Sequence, residues 1–484
     1  MILRGAEEDG MPLLLTGARE KARLLYSRSL TESFIFCLEM KIKVGTYRTR
    51  RMDKHDSRLT IPITIEDTKG GVFQTAAVVQ MTPISYFNGK VPPVTYSLLY
   101  LSSIVYAIDR GIDRHRYSID GWSRELDVDI NLPEFELFQL VEGQIDAMLS
   151  FLTGDYWNCH FVGTAQVRYG RYEQINYFDG ITQVNLFSGG MDSLIGAIDY
   201  MTNNPNGKLF LASHYDSVMR GPLSDQDRLK KMLKKKYSGT FAEMTAVMIT
   251  PELSAELSCR SRSLMFLSIA LIVASYANCK IVVPENGSVS LNFPLSPSRR
   301  TSCSTRTTHP IFLKQYREVL RALGLTTQVE NPYEKMTKGE MVQHCSDKDY
   351  LMGIAEHSNS CGKRGMHQHM YDNTHATHCG HCMPCMYRKA AMIRERDLTT
   401  YGNRFVTLFG KKGEKVAEDF FAMLNFLKTN LTREQIRKEL KIAGMTGFDD
   451  LDEYVDLVVR TRAELAAMIH ADNNRTILRY MGWL

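Results

Sequence analysis

Two short stretches of this chain carry residue types at spacings that support chemistry. The first is Ser188, Gly189, Gly190, Met191, Asp192 and Ser193. An apolar run from Gln183 to Phe187 precedes it and reads as a strand; Leu194 to Met201 follows and reads as a helix. A strand that turns through two glycines into a helix aims backbone N–H groups, and the positive end of the helix dipole, at one spot. Gly189 and Gly190 permit positive φ and close approach of a ligand. Ser188 and Ser193 add hydroxyl donors, and Asp192 in the first turn can cap free amides or help place a metal ion. Such a cradle suits a pyrophosphate, although an ordinary tight strand-to-helix turn has the same outline. It is neither a Walker A loop, since no Gly-Lys-Ser/Thr follows, nor the spaced glycine pattern of dinucleotide folds.

The second stretch is Cys379, Cys382 and Cys385, with Cys361 upstream. Thiolates at C-x2-C spacing clamp one ion because a tight turn points both sulfurs inward, and a third and fourth Cys complete a tetrahedral zinc set. Free buried thiols and an iron–sulfur cluster are the alternatives. His367, His369, His375, His378 and His381 crowd the same segment, and any of them is an alternative to Cys361 as fourth ligand. Cys37, Cys159, Cys259, Cys279, Cys303 and Cys345 are scattered and read as structural. Four thiolates leave no open coordination position, so the zinc is expected to be structural.

The elements that must position these groups follow from length and texture. A chain of 484 residues holds two or three domains with ample core, so neither disulfides nor metal are needed merely to fold. Its 44% hydrophobic and 23% charged residues are ordinary for a globular protein. A net charge of +5 is small for this size and permits nucleotide or nucleic-acid contact without arguing for it. Ten cysteines in a long chain whose first 26 residues show no apolar signal core do not read as a secreted disulfide scaffold. Leu264 to Ala274, the longest apolar run, is too short to span a bilayer, so a cytoplasmic protein without a membrane partner is expected.

Residues 1–178 read as an α+β accessory domain, with strand-like runs at 34–44, 58–65 and 72–81, helical patterns near 96–108 and 135–152, and an alternating stretch within 117–131. Residues 179–400 change rhythm. Strands near 183–187, 208–214, 244–250, 280–284 and 326–330 alternate with helical segments, as in βαβ units on a parallel sheet. Residues 401–484 read as a helical region. The expected fold class is α/β, a parallel-sheet core between an α+β domain and helices.

The glycine turn resembles the PP-loop, SGGxDS, of enzymes that use ATP to adenylate a substrate and expel pyrophosphate. Together with the four cysteines it resembles the 7-cyano-7-deazaguanine synthase (QueC) family over residues 180–395. Ser261 to Ala270 is similar to that family's GRN-x4-LSIA helix, with Arg262 at the arginine position. Pro332 to Val342 is similar to its P-x5-K-x-E segment, with Lys338 and Glu340 in place; Thr337 and Glu340 also read as a helix capping box. The cysteine set, trailed by Arg388 and Ala391, is similar to its zinc-binding end. The resemblance implies a Rossmann-like, adenine-nucleotide-hydrolase fold, ATP with Mg2+, one Zn2+, and conversion of a carboxylate to a nitrile with ammonia. The implied site is Ser188, Gly189, Gly190, Asp192, Ser193 and His214 for nucleotide, with Asp192, Ser193, Arg262 and Lys338 catalytic and Arg306 a further anion contact.

The chain also departs from that pattern. Seventeen residues, 362–378, separate the first two zinc cysteines, and the stretch from Pro284 through Asn292, Arg299, Arg300, Ser304 and His309 differs from the family's substrate-facing segment. The chain is similar to the enlarged QueC-like proteins of antiphage defence operons such as the Qat system, whose extra N-terminal region compares with Asp120–Arg124 and Leu152–Trp157 here. That likeness implies either a deazapurine acceptor or a partner protein of the same operon. Two other readings stay open: a tRNA-modifying thiolase or lysidine synthase using the basic runs 230–236 and 48–51, or an ATP-binding scaffold without catalysis.

Overall fold

The computed structural model describes residues 39–45, 48–49, 58–67, 70–81, 83–87, 89–163, 178–216, 221–238, 241–243, 247–256, 259–296, 306–364 and 367–484. The sequence expectations at 34–38, Arg50, Arg51, Arg299, Arg300 and Ser304 lie outside these residues. Residues Glu39–Leu484 form one compact unit.

The first half supplies β1 (Glu39–Val44), β2 (Arg48–Thr49), β3 (Arg58–Glu66), β4 (Val72–Gln80), α1 (Pro93–Gly111), β5 (Glu125–Leu132), α2 (Glu142–Thr153) and β6 (Tyr156–Gly163). These strands form a mixed sheet in the order β6-β5-β1-β3-β4, with β2 pairing on β3. Helix α1 is buried at every position from Val94 to Gly111, as a helix enclosed on all sides must be. The expected helix at 135–152 is broken into Phe135–Gln139 and α2. On edge strand β6 the Trp157, Cys159 and Phe161 N–H groups donate to Ser150 Oγ, Asp146 Oδ1 and Glu142 Oε1 of α2, blunting the open edge.

The middle of the chain supplies β7 (Ile181–Leu186), α3 (Met191–Asn203), β8 (Lys208–Ala212), β9 (His214–Tyr215), α4 (Pro222–Lys236), β10 (Phe241–Glu243), β11 (Val247–Pro251), α5 (Arg262–Ala277), β12 (Lys280–Val282), α6 (Pro310–Ala322) and β13 (Val329–Glu330). Five of these strands build a wholly parallel sheet in the order β10-β8-β7-β12-β13. The chain winds outward from β7 on one side, then returns and winds outward on the other. The direction of winding therefore reverses between β7 and β12, and at such a point the loops at the carboxyl ends of two neighbouring strands diverge and leave a crevice.

The expected strand near 244–250 does not stay in the parallel sheet. Strand β11 pairs antiparallel with β4 and parallel with β9, so it extends the mixed sheet. A buried ionic box makes a second tie between the halves. Arg114 and Arg124 each bridge Asp109 and Asp155 at 2.7–2.9 Å, all four side chains being at most 2% exposed. Asp109 Oδ2 also accepts from Ser261 Oγ at 2.9 Å, immediately before α5. The segments around Asp120–Arg124 and Leu152–Trp157 thus anchor the helix that begins with Arg262.

The last part adds α7 (Lys338–Gln343), α8 (Met383–Ala391), short helices, and α9 (Leu451–Asp472). No helix among the described residues is long and apolar enough to cross a membrane.

Candidate nucleotide cradle and metal centre

The Ser188–Ser193 turn stands at the carboxyl end of β7, beside the point of reversal. Gly189 adopts φ +85°, a conformation side chains disfavour, and turns the strand into α3. Gly190 is the N-cap, with no side-chain cap of its own. The first four N–H groups of a helix have no acceptor within it. Here Ser188 Oγ accepts weakly from Gly190 N at 3.3 Å and Ser360 Oγ from Met191 N at 3.4 Å. Ser193 Oγ donates to Gly190 O at 2.9 Å. A Cβ built on Gly190 would reach Ser188 Oγ, Asn359 O and Ser360 Oγ at 3.4–3.7 Å, so the glycine leaves open a space walled by polar oxygens. The turn has the geometry of an anion cradle.

Asp192 lies buried on this turn among groups from the far side of the reversal. Lys338, first residue of α7, forms an ion pair with Asp192 Oδ1. Asn286 Nδ2 donates to Oδ2 at 2.7 Å. Glu285, on the loop after β12, also hydrogen-bonds this carboxylate. Burial works against the Asp192 charge, but the Lys338 ammonium and the three hydrogen bonds outweigh it and hold the carboxyl below its usual range. Burial, and then the Asp192 charge, push Glu285 well above the carboxylate range, so Glu285 is the protonated donor of the pair. Three donors therefore converge on the two oxygens of Asp192.

Lys338 is aimed by the predicted capping box. Thr337 Oγ1 accepts from Glu340 N, and Glu340 Oε2 accepts from Thr337 N at 2.8 Å. The other expected site residues lie elsewhere. His214 is fully buried, its ring edge-on to Tyr106 and Phe266, with centroids 5.6 Å away in each case. Gln226 links it to the turn: its Nε2 donates to His214 O at 3.1 Å and Ser188 O at 3.4 Å. Arg262 lies over the Phe266 ring, and its Nε and Nη2 are buried without a hydrogen-bond partner among the described residues. Arg306 donates to Phe151 O at 3.1 Å and stacks on that ring, so it serves α2 rather than the cradle.

Sulfurs of Cys361, Cys379, Cys382 and Cys385 all lie within 4.8 Å of one another. Opposite pairs, Cys379–Cys385 and Cys361–Cys382, are 3.8 and 4.0 Å apart. A tetrahedral zinc with Zn–S bonds of about 2.3 Å has edges of about 3.8 Å. This four-thiol donor set fits zinc. The N–H groups of Lys363 and Cys379 donate to Cys361 Sγ, and those of His381 and Cys382 to Cys379 Sγ, all at 3.3–3.4 Å. The four thiols share hydrogen bonds that push the Cys379 sulfur below the ordinary thiol range and those of Cys382 and Cys385 above it, so without an ion the negative charge gathers on one sulfur. Of the histidines, His381 bonds Asn403 at 3.1 Å and His378 contacts Ser360 N at 3.4 Å, outside the four-sulfur set.

The metal centre and the cradle are one structure. Asn359 N donates to Gly189 O at 2.9 Å, and Asn359 Oδ1 accepts from Cys361 N at 2.9 Å. Sequence reasoning missed Glu285, Asn286, Asn359 and Ser360 as site groups, although the first two lie in the stretch it singled out after β12.

The chain is thus an α/β protein with a glycine-turned strand-to-helix cradle and a four-cysteine site that can hold a metal ion such as zinc. Comparison with protein-family models, with curated proteins and with solved structures finds no match.

Proposed function

We propose that this protein is an ATP-dependent adenylating enzyme of the PP-loop, QueC-like kind. The observation that carries the reading is the pairing of Asp192, in the first turn after Gly189–Gly190, with Lys338 from across the reversal of the parallel sheet. An anion cradle with a buried ammonium at its mouth is what a pyrophosphate leaving group requires.

In the proposed reaction a carboxylate oxygen of the acceptor attacks the α-phosphorus of ATP. The bond between the α-phosphorus and its bridging oxygen breaks, and pyrophosphate leaves with that electron pair. The N–H groups at the start of α3, with the Ser188 and Ser193 hydroxyls, hold the departing oxygens, and Lys338 offsets their charge. Ammonia or an amine then attacks the acyl carbon, AMP departs, and the nitrogen loses its proton to solvent, giving an amide. A second activation and loss of water would give a nitrile. The acceptor is a deazapurine carboxylate or a carboxylate of a partner protein from the same operon, with a role in antiphage defence. Mg2+ would enter with ATP as the counter-ion of its phosphates, with Asp192 the nearest carboxylate of the turn to help place it. Zinc, once bound, supplies no chemistry beyond holding the wall of the cradle.

The experiment is pyrophosphate release from ATP, with ammonia and candidate acceptors, by the wild type and by Lys338→Met. Acceptor-dependent release that Lys338→Met abolishes supports the proposal. Nucleotide binding without release supports the scaffold alternative.

A further inference from the structure

Helix α9 lies beyond the segments that bear motifs, yet it grips both elements that deliver partners to Asp192. On one side its Leu457 packs on Gly287, next to Asn286. A Cβ at Gly287 would come within 2.6 Å of Leu457 Cδ2 and 2.2 Å of Glu334 O, so only glycine allows this approach. Thr461 Oγ1 meets Ser288 Oγ at 2.5 Å in the same contact. On the other side, Arg460 pairs with Glu340 at 2.7 Å and donates through Nη2 to Lys335 O at 2.7 Å.

Between these contacts stands Glu464. It accepts from the Thr337 hydroxyl and, at 3.4 Å, from the Gly339 N–H. Those are the two neighbours of Lys338. One carboxylate from α9 therefore holds a side chain on one side, and the backbone on the other, of the lysine that reaches Asp192. Lysine has a flexible four-carbon stem, so its ammonium stays in place only if its Cα and its target are both fixed.

We propose that Glu464 is a positioning residue: it anchors the first turn of α7 and thereby holds the Lys338 ammonium against Asp192 at the mouth of the cradle. Its effect on turnover rests on the adenylation reading, whereas its effect on Lys338 does not.

The test measures both. Lys338, 3% exposed, is acylated with an amine-reactive ester and mapped by mass spectrometry in folded wild type, Glu464→Leu, Glu464→Gln and Thr337→Val. Pyrophosphate release and the KM for ATP are followed in parallel. Glu464→Leu should raise the acylation rate of Lys338 severalfold. It should lower kcat on the order of 100-fold, as small misplacements of reacting groups do, with little change in KM. Glu464→Gln, which keeps an acceptor oxygen, should restore most of the protection. Thr337→Val, which removes one of the two anchors together with the helix cap, should also expose Lys338 and serves if Glu464→Leu does not fold. Unchanged protection of Lys338 in a folded Glu464→Leu or Thr337→Val protein overturns the proposal, whatever the turnover. Lost protection in an enzyme whose wild type releases no pyrophosphate upholds the positioning role and discards adenylation.

Discussion

The Asn359 amide donates to the Gly189 carbonyl oxygen at 2.9 Å, two residues ahead of Cys361. Gly189 is the residue whose left-handed backbone turns β7 into α3, so the loop leading to the cysteines buttresses the cradle at its point of greatest curvature. Ser360 adds a second contact, accepting from Met191 N at 3.4 Å. Whatever fixes Cys361 also fixes this wall.

Metal content and cradle order should accordingly fall together. Purified protein should carry close to one zinc per chain with sulfur neighbours at about 2.3 Å by X-ray absorption. Changing Cys379, Cys382 or Cys385 to Ser should lose the metal and speed amide exchange in residues 187–193 as well as in 355–395. Exchange that rises only around the cysteines would show that the wall stands without the metal. A brown, iron-containing protein would move the assignment to the tRNA thiolase.

The ionic box is a separate test of how the first half supports the site. Removing one member of a buried charge network leaves its partners uncompensated and costs about 3–5 kcal/mol. Arg124→Met or Asp109→Leu should therefore lower the unfolding midpoint markedly, while Glu414→Ala, the exposed partner of an i, i+3 pair with Lys411, should change it little. Equal, small effects of all three would show that the box does not anchor α5.

Acid should destabilise the fold through His309. Burial, and then Arg306, depress its pKa to about 3, and its Nδ1 caps α6 by accepting from Ile311 N at 3.2 Å, which only the neutral ring can do. The unfolded chain takes up this proton near pH 6.5 and the folded one only near 3, so the stability that the neutral ring contributes is full above 6.5 and is lost as pH falls through that window. Unfolding midpoints between pH 7.5 and 5 should decline in wild type and decline less in His309→Asn, which retains a capping oxygen. Parallel profiles would exclude His309 as the cause.

The site's local features were legible, and its long-range ones were not. Strand, glycine turn, helix, the Thr337–Glu340 box and the C-x2-C pairs all act within a few residues, where spacing translates directly into geometry. Cys361 joins the other three sulfurs across 17 residues, which spacing cannot dictate, and its place depended on the fold. Glu285 and Asn286 fall in the stretch compared with the family's substrate-facing segment, but their bonds to Asp192 depend on β12 lying beside β7, which spacing does not give. Glu464 meets Thr337 across 127 positions and looks like any acidic residue on an amphipathic helix. The strand expected near 244–250 is present over Val247–Pro251, but a strand-like run does not say which sheet it joins, and β11 joins the mixed one.

The most direct measurement of the central claim is release of labelled pyrophosphate from ATP by wild type, Asp192→Ala and Gly190→Val, with ammonia as nucleophile and deazapurine carboxylates and candidate partner proteins as acceptors. Gly190 has φ −82° and an added Cβ would meet only ordinary contacts, so valine fills the cradle while the fold survives. The account predicts acceptor-dependent release by wild type and none by either variant, with both variants still binding zinc. Full turnover in Asp192→Ala and Gly190→Val alike would contradict it.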